Sequence, residues 1–211
     1  MPATADETLA DEARRRTQAG AVAIAAGVLT ILSGALAAIV YSDKPTVPLI
    51  DVLREHLSRN PPVPGLKVRQ ALWYDANAAK VILVSVLLSL AAAGMGLALS
   101  HLYRSTKARR PELPLIAIVT AIAGATLVAV SELTIAISIV VETHKLAGSA
   151  QPTSAAARDA LVPSAALAGG ILRQLGVIML GAGWIIIALN AMRVGLLTTL
   201  YFQAYYASAE E

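Results

Sequence analysis

Four stretches of this chain run for twenty or more residues with at most one charged side chain apiece, and that pattern limits what it can fold into. They are Thr17–Ser42, Val81–Ser100, Leu115–Val141 and, approximately, Ala165–Met192. A helix rises about 1.5 Å per residue, so roughly 20 apolar residues cross a hydrocarbon core about 30 Å thick. Lipid offers no hydrogen bonds to the backbone, which makes a helix the only way for a single segment to cross. The expected fold is therefore all-α, a polytopic membrane protein with four transmembrane helices in a bundle. One membrane domain covers residues 1–211, with spans at about 18–41, 79–103, 114–141 and 165–192 and outer loops at 42–78 and 142–164.

Composition points the same way. Hydrophobic residues make up 56% of the chain and charged residues 15%, against about 25% charged in soluble domains. The absence of cysteine excludes disulfides, thiolate metal sites and thiol nucleophiles. A formal net charge of +3, with no nucleic-acid motif, gives no reason to expect a polyanion partner. The "RRR" before the first apolar run looks like the start of a secretory signal, but that run exceeds the roughly 7–15 residues of a signal core. It reads as an uncleaved span preceded by a short charged helix, "DETLADEARRR". There Asp11 with Arg15 and Glu12 with Arg16 are spaced i,i+4, acid first.

Basic clusters near span ends set the expected orientation. Arg14, Arg15 and Arg16 precede span 1; Arg104, Lys107, Arg109 and Arg110 crowd the short link between spans 2 and 3; Arg193 follows span 4. With an even number of spans these fall on one side, read as cytoplasmic, so both termini are expected inside. On the outer side "VPLIDVLREHLSRN" places Leu49, Ile50, Leu53 and Leu57 on one helical face, and "NPPVPG" then breaks the chain. "LKVRQALWYDANAAK" is expected to run straight into span 2, "VETHKLAG" to extend span 3, and Pro163 to open span 4. These segments would form a small helical extracytoplasmic cap, with "AGSAQPTSAAARD" as its flexible loop.

Small residues recur at helical spacing in three spans. In span 1, Ala26, Thr30, Gly34 and Ala38 repeat every four residues, and Gly20, Gly27 and Gly34 every seven. Ser85, Ser89, Ala93 and Gly96 align in span 2, and Ala117, Ala121, Ala125 and Ala129 in span 3. Hydrophobicity does not drive helices together in lipid, so such stripes are where backbones approach closely, within one bundle or between copies in a homo-oligomer.

Glu132 and Arg173 are the lone charges of spans 3 and 4. Measured from Pro114 and Asn190, they lie about 25–27 Å along their helices, at matching depth just inside the outer edge. An unpaired charge there is costly, so an intramembrane ion pair is expected, with Gln174 as a nearby donor. It would fix helix register or line a path for cations or protons. Trp184, in mid-span, reads as a packing anchor, and Asn190 and Arg193 are expected to meet lipid head groups or the "YRSTKARR" link. His56 with Glu55, and His144 with Glu142, could meet in the cap, but no spacing is a metal-ligand signature, so no metal or other cofactor is expected. No nucleophile or metalloenzyme motif appears, so no enzyme is expected.

"LYRSTKARRPELP" (Leu102–Pro114) and "LNAMRVGLL" (Leu189–Leu197) resemble segments of a group of uncharacterised bacterial multi-spanning membrane proteins. The resemblance implies a bacterial plasma (inner) membrane and highlights Arg104, Arg109, Arg110, Asn190 and Arg193 as inner-interface anchors. Members of that group tend to continue past "NAMRVGLL" into a further span, where this chain has a short polar tail. Two functions are open: an oligomeric channel or transport-type protein using Glu132, or a non-catalytic subunit or scaffold whose small-residue stripes dock a partner membrane protein. Membrane lipids and further copies of the chain are the expected partners.

Overall fold

The computed structural model describes residues 5–46, 65–149 and 152–194. These residues are helical almost throughout, without strands. Six helices follow one another: α1 (Ala5–Ser42), α2 (Leu66–Ala76), α3 (Ala78–Arg109), α4 (Leu115–Ala147), α5 (Ser154–Leu161) and α6 (Ser164–Arg193). Four of the helical stretches, Gly20–Ser42, Ala78–Arg109, Leu115–Ala147 and Ser154–Arg193, are long and apolar enough to cross a membrane.

The helix boundaries refine the expectations. The charged N-terminal segment is not a separate helix, since α1 runs unbroken from Ala5 to Ser42. α2 does not pass straight into α3: Asn77 interrupts it with φ −110° and ψ 19°. The interruption is slight, because the backbone N–H and the side-chain Nδ2 of Asn77 both donate to Trp73 O, each at 3.0 Å. Upstream, Gly65 adopts φ 111°, a left-handed conformation that glycine reaches without steric cost, and α2 starts from it. The loop "AGSAQPTSAAARD" is helical in its second half. Thr153 caps α5 by accepting from Ala156 N–H at 3.2 Å, a start signal followed by a run of helix-favouring alanines. α4 extends to Ala147 as expected, and Pro163 immediately precedes α6, its carbonyl accepting from Leu167 N–H at 3.1 Å. "VPLIDVLREHLSRN", with Glu55 and His56, lies outside the described residues, as does the chain after Val194.

The chain divides into two compact units. The first holds the described residues of Met1–Thr30, Leu90–Ala129 and Arg173–Glu211; the second holds those of Ile31–Ser89 and Val130–Leu172. In the first, Leu99, Tyr103, Leu113, Ala117, Ile118, Ala121 and Ile187 form the buried core. In the second, Ala71, Leu146, Ala157 and Ala160 pack α2 and α5 against the end of α4, forming the small helical cap expected from sequence. Beside it Tyr74, Val81 and Ala136 are buried under Tyr41, Trp73 and Leu161.

Candidate functional site

In the first unit α4 and α6 also meet through backbone, beside the large side chains of the core. A Cβ added to Gly124 would fall 2.6 Å from Gly176 O and would also strike the Leu180 backbone. One on Gly176 would lie 2.9 Å from Gly124 O, and one on Gly183 would lie 2.7 Å from both Ala117 O and Ala121 N. α4 and α6 are therefore in near-backbone contact along this seam. Gly94 receives Ala26, and Gly96 receives Ala125, at similarly short range. Ala117, Ala121 and Ala125 of the span 3 stripe are buried here. The α6 glycines were not singled out in the sequence, although Gly169, Gly176 and Gly183 recur every seven residues and Asn190 continues the series. That repeat was the available signal.

One end of this unit carries the basic link. Arg110 Nη1 donates to Asn190 Oδ1 at 2.6 Å, and Asn190 Nδ2 donates to Ile186 O at 2.8 Å. Asn190 thus meets the "YRSTKARR" link, one of the two alternatives expected. Lys107 Nζ lies 3.3 Å from Tyr103 Oη and 5.5 Å from the ring centroid. Tyr103 is buried, whereas Arg104, Arg109 and Arg193 are exposed.

In the second unit the span hydroxyls differ in burial. Ser33, Ser85, Ser89 and Ser131 are buried, whereas Thr134 is exposed and Ser138 half-buried. Many hydroxyls donate to carbonyls one turn back on their own helix: Ser89 to Ser85 O, Thr134 to Val130 O, Ser138 to Thr134 O. Thr30, Thr120 and Thr126 do the same in the first unit. A serine bonded in this way is small enough for an inward face and leaves no polar group bare.

Glu132 is half-buried on α4 in the second unit; Arg173 and Gln174 are exposed on α6 in the first. Glu132 and Arg173 each take part in polar or electrostatic interactions. His144 does not meet Glu142. Its Nδ1 sits 2.8 Å from Asp75 Oδ1, while Glu142 Oε1 accepts from Lys145 Nζ at 2.6 Å. Among the described residues no group of three His, Asp or Glu side chains is placed to hold a metal ion.

α1 exposes most of its own stripe. Its buried residues among those described are Ala26, Ser33 and Val40, seven apart, so of the four-residue series only Ala26 turns inward. Thr30, Gly34 and Ala38 are exposed, and Gly20, Gly27 and Gly34 have open space where a Cβ would stand. In span 2, Ser85, Ser89 and Gly96 are buried but Ala93 is exposed. Trp184 is not a packing anchor within the chain: it is 57% exposed, because inward positions on α6 belong to Gly183 and Ile187.

These features define an integral membrane protein with four helices long and apolar enough to span the bilayer. No family model, curated protein or solved structure matches the chain, so the resemblance of its two basic segments does not place it in a family.

Proposed function

We propose that the protein is a non-catalytic membrane subunit that acts by helix docking, with α1 as the docking helix and a second copy of the chain as its first partner. The observation that carries this reading is the small-residue face of α1. Only 11% of its most apolar window is buried, against 39% for α3. Gly20, Gly27 and Gly34 recur every seven residues on the uncovered side. Acyl chains fill a glycine notch less well than a facing helix does, and a stripe without charge meets its own copy without repulsion. The plasma membrane of a bacterium, with Arg104, Arg109, Arg110 and Arg193 on the cytoplasmic side, is the setting that fits the basic clusters.

The test is the oligomeric state in lipid nanodiscs of the wild type and of Gly27→Leu/Gly34→Leu. A Cβ added at either position has open space around it, so the fold should stand while self-association is lost. Equal association of wild type and variant would overturn the reading.

Transport is the second reading, favoured by Glu132, a half-buried carboxylate inside an apolar helix. A proton flux in proteoliposomes that Glu132→Gln abolishes would establish it instead.

A further inference from the structure

A groove of about 340 Å³ lies between the end of α1 and the start of α3, inside the second unit. Its size falls within the roughly 300–1,000 Å³ of small-molecule sites. Leu36, Ile39 and Val40 wall one side and Leu83 the other. Asp43 continues the α1 face, one further turn on from Val40, and Asn77 and Lys80 continue the α3 side. Leu36 and Asp43 are separated by about 10 Å along the helix axis. The groove therefore has an apolar end and a charged end, as a lipid has.

The charged end is built. Asn77 is held by its Nδ2 donating to Trp73 O at 3.0 Å, and its Oδ1 accepts from Lys80 Nζ at 3.0 Å. That bond occupies one of the three ammonium hydrogens and leaves two for a ligand. Ser42 Oγ, whose hydrogen goes to Ile39 O at 2.7 Å, lies 3.4 Å from Asp43 Oδ1. Among the described residues no ion pair joins Asp43 to Lys80. Two opposite charges thus stand apart across one mouth. Trp73, Tyr74 and Tyr41 cluster close by in the chain, with ring centroids 5.1–6.5 Å apart, the residue types that mark a head-group layer.

We infer that this groove binds one phospholipid with a primary-amine head group. Lys80 receives the phosphate, Asp43 receives the ammonium, and Leu36, Ile39, Val40 and Leu83 cover the first methylenes of an acyl chain. A primary ammonium donates hydrogen bonds to Asp43; a quaternary ammonium has none to give, and a glycerol head group carries no cation. The site lies about half a turn around α1 from Gly27 and Gly34, so it stands independently of the docking reading.

The experiment is lipid titration of the detergent-solubilised full chain, followed by native mass spectrometry, with phosphatidylethanolamine, phosphatidylcholine and phosphatidylglycerol of identical acyl chains. Phosphatidylethanolamine should bind about tenfold more tightly than the other two, the effect of one charge-assisted contact. Asp43→Asn should abolish that preference, Lys80→Gln should weaken all three lipids, and Lys67→Gln, an exposed cation on α2, should leave the wild-type order intact. Equal binding of the three lipids to the wild type would overturn the inference, whatever the variants do. A preference unchanged in Asp43→Asn, or affinities unchanged in Lys80→Gln, would overturn it as well.

Discussion

Gly124 of α4 and Gly176 of α6 face each other so closely that a methyl group on either would meet a backbone carbonyl of the other, at 2.6 Å and 2.9 Å respectively. Backbone atoms cannot swing aside as a side chain can. Gly124→Ala should therefore destabilise by about 1–3 kcal/mol, although alanine is the better helix former by up to about 1 kcal/mol. Gly181→Ala is the matched control, since Gly181 has open space around it, and it should be neutral or slightly stabilising. Thermal unfolding of both variants in one detergent measures the difference. Equal midpoints would show that α4 and α6 are not in backbone contact.

Arg110 and Asn190 tie the basic link to the end of α6 through a 2.6 Å charge-assisted hydrogen bond. The site is only partly buried, so Arg110→Ala and Asn190→Ala should each cost about 1 kcal/mol. The double variant should cost scarcely more than either single one, because both remove one bond. Full additivity in unfolding measurements would mean that the two side chains act separately.

The cap should be held by small-residue packing rather than by its ion pair. Ala71 and Ala157 are wholly buried, whereas the His144–Asp75 pair joins side chains that are 81% and 27% exposed. Ala157→Leu should loosen the cap by about 1–3 kcal/mol and expose it to protease. His144→Ala should change little, under about 1 kcal/mol. Limited proteolysis followed by mass mapping ranks the two, and the reverse ranking contradicts this view.

The chain has no native cysteine, so single cysteines can report sidedness directly. In intact cells of a bacterial host, Ser149→Cys should react with a membrane-impermeant maleimide, and Ser105→Cys should react only after permeabilisation. The opposite pattern would invert the proposed topology.

The spans were legible in the sequence because hydrocarbon demands length and apolarity, and both survive as a linear signal. The Asn190 contact with the basic link was one of two alternatives open from sequence, since polar groups at span ends have few places to go. The faces of the spans were harder to read. In water an inward face announces itself by contrast with a polar outer face, but in lipid both faces are apolar. Ala26, Ser33 and Val40 on α1 therefore do not stand out from Thr30, Gly34 and Ala38, and Trp184 was assigned inward although α6 turns it outward. The Gly124–Gly176 seam shows what did carry information: glycine at a seven-residue period on α6, where it coincides with close backbone approach to α4. α5 was missed because its helix is short and its cap, Thr153, sits among loop-like residues.

The central claim, that α1 docks a second copy of the chain through its glycine face, is tested most directly by disulfide crosslinking of single cysteines along α1 in native membranes. Gly27→Cys, Thr30→Cys and Gly34→Cys should give crosslinked dimers under mild oxidation. Leu32→Cys, equally deep and 56% exposed but on another side of the helix, should remain monomeric. Crosslinking at Leu32 equal to that at Gly34, or none at any of the four positions, would contradict the account.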